Sequence, residues 1–281
     1  MRVLIDNGIV SGANFLEGAV RQQELRWGKN ITSLPISGFK RVDLDPNVEQ
    51  QAEKDALFSI GRLARAGLLS LHTYSELRVE SWRGGRGRQP ILNALGKCII
   101  SECPCPVERT KFRQTLNHEE WLSKGGKEDL KKGIPRSDFS QVSFLEWLAS
   151  MTSSQVNLII EKAGLFGLDD FEAESLEDLS WFQNLYRAIG GEGNLPDCFH
   201  ICTARRNKLD ALLTLEAKLP RTWEHLKKRR NLRIDVNVEV FRPRQLLSAL
   251  GLNELDPVPV EGNRFYSVAE ALELNRRLLE A

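Results

Sequence analysis

Five carboxylates stand beside short apolar runs or at the start of a helical stretch. Asp6 follows Val3-Leu4-Ile5, Glu76 comes soon after Leu68-Leu69-Ser70-Leu71, Asp197 opens a helical stretch, and Asp210 and Glu216 flank Ala211-Leu212-Leu213-Thr214. A parallel sheet delivers the residues that follow its strands to one edge, so acids remote in the chain can converge there. Gathered in one cleft they repel, and one group keeps its proton unless a cation neutralises the set. Oxygen-only donors select a hard ion, and few protein ligands with many waters suit Mg²⁺ or Mn²⁺. Such an ion acidifies water and steadies the leaving oxygen of an in-line displacement, which is the chemistry of phosphodiester hydrolysis.

Each acid also has an ordinary role open to it. Asp6-Asn7-Gly8 contains Asn-Gly, the strongest short turn signal. Asp197 in a first helical turn is a good cap and dipole partner. Glu76 lies three residues after Thr73, as in a capping box, and Glu80 competes for its place. Asp210 fits a turn before a strand.

The elements that must position these acids read as α/β. Val3-Leu4-Ile5 is a short buried strand. Phe15 to Leu25 is expected as a short helix, and Ile31 to Val42, broken by Pro35 and Gly38, as extended or irregular chain. Ala52, Ala56, Leu57, Ile60, Leu63 and Ala64 recur at helical spacing between Asp45-Pro46 and Gly67, which predicts one helix over 47–66. A strand at 68–71 and a helix at 73–82 follow, as in a parallel crossover. After 193 the alternation resumes: helix 197–208, strand 211–214, helix 218–230, strand 234–241, helix 243–250 closed by Gly251, and at 267–279 a helix that fits packing or equally docking of a partner.

Between them, 83–190 differs in character. It opens on Arg83-Gly84-Gly85-Arg86-Gly87-Arg88 and holds helical patterns at 144–151, 156–162 and 176–189. The expected organisation is a discontinuous α/β domain over 1–82 and 191–253, a helical insertion at 83–190, and a tail with a helix at 254–281.

The chain has 281 residues, enough to bury a real core, and a formal net charge of +1, so no global field advertises a partner. No apolar run is long enough to span a bilayer, and the amino terminus lacks a leader pattern, which gives the expectation of a soluble, cytoplasmic protein without a membrane partner. Five cysteines, an odd number, favour reduced thiols. Cys98, Cys103 and Cys105 with His118 do not have the paired spacing of a zinc site, and Cys198 and Cys202 fit a helix core. Gly8, Gly12 and Gly18 do not make a phosphate-binding glycine loop.

Leu4-Ile5-Asp6-Asn7, Leu69 to Leu77 with Glu76, and Asp197 through Asp210 to Leu213-Thr214-Leu215-Glu216 together resemble the PIN-domain nucleases, a family that includes ribonuclease toxins of toxin–antitoxin pairs. The likeness covers the first few residues, 65–82 and 192–250. It implies a PIN-like central parallel sheet flanked by helices and a Mg²⁺- or Mn²⁺-dependent endoribonuclease. It implies catalytic roles for Asp6, Glu76, Asp197 and Glu216, and metal ligation by these four and Asp210. RNA is the implied partner, with room for an antitoxin-like protein and for a homodimer. Two departures stand out: Glu216 replaces the usual Asp with an arm one methylene longer, and Asn7 replaces a small hydroxyl residue. A catalytically weak PIN-like module that binds RNA or protein is the alternative.

Substrate contacts are expected from Arg83, Arg86 and Arg88, whose guanidinium groups can approach phosphates and stack on bases, and from Lys227, Lys228, Arg229 and Arg230. For the first set the plain alternative is a solvated loop. For the second it is a helix end whose dipole favours cations.

Overall fold

The computed structural model describes residues 1–41, 45–78, 92–112, 136–191, 194–229, 237–252, 258–262 and 264–280. In chain order the elements are β1 (Arg2–Ile5), α1 (Asn7–Gly12), β2 (Leu16–Trp27), β3 (Asn30–Arg41), α2 (Val48–Asp55), α3 (Leu57–Arg65), β4 (Ser70–Thr73) and β5 (Ile100–Glu102). They continue with α4 (Arg136–Ser150), α5 (Ser153–Glu161), α6 (Ala163–Phe166), α7 (Asp170–Glu177), α8 (Leu179–Ile189), α9 (Leu195–Arg206), β6 (Ala211–Leu213) and α10 (Lys218–Lys227). Last come β7 (Glu239–Phe241), α11 (Pro243–Ala249), β8 (Phe265–Tyr266) and α12 (Val268–Glu280). A helical turn at 75–78 follows β4, and a 3₁₀ turn spans Arg109–Phe112.

The class is α/β, built on a five-stranded parallel sheet in the order β5-β4-β1-β6-β7. Val3 pairs with Leu71 and Leu71 with Ile100, so the first three strands are in parallel register. The N–H of Asp6 donates to the carbonyl of Leu213, and that of Thr214 to Phe241, each across about 3 Å. Val3, Leu4, Ile5 and Leu71 are fully buried, as apolar runs covered on both faces must be. Among the described residues no helix is long and apolar enough to cross a membrane.

Two compact units divide the chain: Met1–Glu102 with Leu213–Ala217 and Val240–Ala281, and Cys103–Leu212 with Lys218–Glu239. In the first, α3 buries Leu57, Phe58, Ile60 and Leu63. Gly61 permits a close approach there, since a Cβ on it would lie 1.9 Å from the carbonyl oxygen of Ala94. In the second, α8 turns Leu179, Trp181, Phe182 and Leu185 inward and packs on α4 and α9. Phe182 meets Phe199 edge-on at 5.8 Å, and Phe112 stacks on Phe166. Burying each such ring contributes roughly 1.5–3 kcal/mol.

Several expectations change. Residues 15–25 form no helix: β2 pairs antiparallel with β3 over twelve positions, from Leu16 opposite Arg41 to Trp27 opposite Asn30. Arg, Gln, Glu and Leu favour helix locally, but cross-strand pairing outweighs a propensity of tenths of a kcal/mol per residue. Gly28, with φ of +62°, supplies the positive φ that the two-residue turn needs. The single helix expected over 47–66 is two, parted at Ala56, and its cap is Asn47, which accepts from the N–H groups of Glu49 and Gln50. β5 lies within 83–190, a stretch expected to be helical, and the helices α9 and α10 group with the second unit.

Candidate functional site

The site grows from the carboxyl ends of the strands. Asp6, directly after β1, caps α1 in an extended conformation and accepts from the N–H of Ile9 at 2.9 Å. Asp6-Asn7-Gly8 therefore starts a helix and not a hairpin. A Cβ on Gly8 would stand 3.1 Å from Asp6 Oδ1, so glycine keeps that side of the carboxylate open. After β6, the Thr214 hydroxyl accepts from the N–H of Glu216 at 3.0 Å and hydrogen-bonds to Asp6.

Burial is the main force on Asp6, pushing its pKa from 3.8 up to about 6; the bonds from Thr214 and Ile9 oppose it, and the charge of Glu216 adds to it. A carboxylate so placed gains from a cation more than one already paired.

Beside Asp6 a cleft of about 250 Å³ is floored by Ile5, Val10, Leu77 and Ile100 and edged by Asp6, Asn7, Thr73, Arg78 and Glu102. It is smaller than the ~300–1,000 Å³ pockets that enclose a whole small ligand, so it suits one group of a longer molecule. Arg78 and Glu102 pair at 2.6 Å with both side chains about half exposed (49% each). An exposed pair of this kind is worth only about 0–1 kcal/mol, so Arg78 can exchange its partner for an incoming anion.

A second layer holds the turn that carries Glu216. Gln50 donates to the carbonyl of Leu215 at 3.2 Å and accepts from Arg242, the residue after β7, at 2.5 Å. Arg242 lies 3.6 Å from Glu53, which also accepts from the N–H of Arg244. Glu53 and Arg242 are both buried.

Of the five expected acids, Asp6 and Glu216 are brought into electrostatic reach of one another. Glu76, buried in the turn at 75–78, and Glu216, which is exposed, do not line the cleft, whereas Arg78 does. Asp197 sits in the first turn of α9, third after the cap Asn194 and behind Pro196, so it is not the cap itself. Asp210 is exposed, and its carbonyl accepts from the N–H of Glu239. Both belong to the second unit.

Among the described residues no group of three or more His, Cys, Asp or Glu side chains is placed to hold a metal ion. The available donor set is two carboxylates, which fits Mg²⁺: this ion keeps several waters and is held by one or two carboxylates plus substrate phosphate. It does not fit the five-acid cluster expected from the sequence.

Arg83, Arg86, Arg88 and Arg230 lie outside the described residues, as do His118 and Glu80. Lys227 is engaged by Glu224 and Glu239, while Lys228 and Arg229 are exposed past the end of α10. Cys103, Cys105, Cys198 and Cys202 are buried, and burial pushes the thiols of Cys198 and Cys202 up to about 12, as inert core groups.

Sequence reasoning missed Thr214, Arg78 and Glu102 as site residues. The signal for Glu102 was present, since Ile99-Ile100-Ser101-Glu102 repeats the apolar-run-then-acid pattern of Leu4-Ile5-Asp6. No protein-family model, no curated protein and no solved structure matches this chain.

Proposed function

We propose that Asp6, on the wall of the strand-end cleft, and the exposed Glu216 outside its lining hold Mg²⁺ or Mn²⁺ for hydrolysis of RNA phosphodiester bonds. One observation carries this: the half-buried Asp6 carboxylate, at the end of the central strand and on the cleft wall, feels the charge of a second acid and is lifted to about 6, chiefly by burial. Held by these carboxylates, such an ion would supply Lewis acidity and charge neutralisation toward a phosphate. Thr214 orients Asp6, the Gln50–Arg242 layer fixes the Glu216 turn, and Arg78 offers a guanidinium to a phosphate oxygen. The small volume of the cleft agrees with a polymer that is seated one group at a time.

The test is cleavage of labelled RNA against Mg²⁺ or Mn²⁺ concentration for the native chain, Asp6→Asn and Glu216→Gln. Metal-dependent cleavage lost in both variants is the expected result. Equal activity in all three discards the proposal. RNA affinity that survives Asp6→Asn, with no turnover in any form, replaces hydrolysis by the binding-module alternative. Asp197→Asn, run alongside, reports whether an acid of the second unit contributes.

A further inference from the structure

The ribbon of β2 and β3 stands apart from the cleft, and its two halves differ. Its base is anchored: β8 pairs with Phe39 and Lys40, the Arg21 guanidinium lies 4.9 Å over the Phe265 ring, and a Cβ on Gly38 would meet the carbonyl oxygen of Tyr266 at 2.4 Å. Beyond the base every residue from 20 to 35 is exposed. Trp27, at the tip, is 90% exposed, with Val20, Leu25, Ile31 and Leu34 also in solvent. A two-stranded hairpin is marginal in water by itself, and an uncovered apolar patch marks an interaction site.

Charge narrows the occupant. Residues 20–37 carry Arg21, Arg26 and Lys29 against Glu24, three cations less one anion, for a local +2 in a chain of net +1. Strand alternation and the register place Arg21, Gln23, Leu25 and Trp27 on one face with Asn30, Thr32, Leu34 and Ile36. That distal face has no acid. Its amides and hydroxyl can bond base edges, and an indole can stack on any base.

Charge also separates a polynucleotide from a second copy. Two ribbons that each carry +2 repel one another, whereas phosphates neutralise them. An extended single strand needs only a cationic track and a stacking ring.

We propose that the distal ribbon binds single-stranded nucleic acid, with Trp27 stacking on a base and Arg21, on the same face, and Lys29, in the turn, contacting phosphates. The choice of RNA as its natural form rests on the hydrolytic function proposed above; the contact chemistry does not.

The experiment measures binding of a fluorescent single-stranded 12-mer, as RNA and as DNA of one sequence, with the metal removed by EDTA so that nothing is cut. Trp27→Ala is expected to weaken binding about tenfold, Trp27→Phe to retain most of it, and Arg21→Gln with Lys29→Gln to lower the salt dependence by about two charges. Trp27 contacts no core, and thermal melting checks that each variant is folded. No binding by the native chain, or equal binding by native and variants, overturns the proposal. So does a native dimer in sedimentation that Trp27→Ala dissolves with RNA affinity unchanged. Ribbon-dependent binding without metal-dependent cleavage sinks hydrolysis and leaves the ribbon's role standing; cleavage with ribbon-independent binding does the reverse.

Discussion

Asp6 in the first unit and Glu172 in the second are both carboxylates withdrawn from water, yet their surroundings oppose one another. Glu172, 2% exposed, pairs with Lys111, accepts from the N–H of Glu108, and shares a capping box with Asp169 at the start of α7. Asp178 nearby is paired with Arg205 and Arg206. Asp6 has a hydroxyl, a backbone N–H and another acid. One carboxylate is spent on structure; the other is held in a state that a cation would improve. Burial alone therefore does not single out a candidate acid, whereas burial beside like charge singles out Asp6 for test.

That contrast can be broken in order of effect. Asp6→Asn is expected to lower metal-dependent RNA cleavage on the order of 100-fold or more, since even residues behind a metal ligand cost 10–100-fold. Glu172→Ala is expected to leave cleavage unchanged while lowering unfolding free energy by about 2–4 kcal/mol, read as a urea midpoint, because Lys111 loses its partner and α7 one half of its capping box. If Glu172→Ala abolishes cleavage in folded protein, the division between the two acids fails.

Proton linkage sharpens the same contrast. Asp6 holds its proton more tightly when folded, at about 6, than at its ordinary 3.8, so its contribution is complete below about 3.8 and is lost as pH rises through about 6. The size is at most about 3 kcal/mol. Without metal, stability should fall across that window in the native chain and stay flatter in Asp6→Asn. With Mg²⁺ the midpoint should move down as the ion displaces the proton. A smaller effect is expected from Thr214→Val: about 1–2 kcal/mol of stability from the lost hydroxyl, with the Asp6 titration moved further up. A downward move in NMR titration would show that Thr214 is not its donor.

The strands that carry the site were legible because their runs are short, apolar and buried on both faces: β1, β4 and β6 fall within two residues of their expected places. Asp6 and Glu216 follow from that. The ribbon was not legible, since Arg21-Gln22-Gln23-Glu24-Leu25 has helix-favouring composition and only pairing with residues fifteen or fewer positions away makes it a strand. Glu76 and Arg78 show the finer limit. Both sit in one helical turn, and which of them reaches the cleft depends on a phase of two residues that no spacing rule fixes.

The middle position of β1 has a kinetic consequence. Its amide neighbour on one side is Leu213, more than two hundred residues downstream. At ribosomal speeds of ~5–20 residues per second, that flank waits roughly ten to forty seconds for its mate. Throughout this interval Val3-Leu4-Ile5 presents a naked edge, and no truncated product ending short of Leu213 can assemble the acidic pair. The strand-end pair of acids, on this topology, comes together late in synthesis.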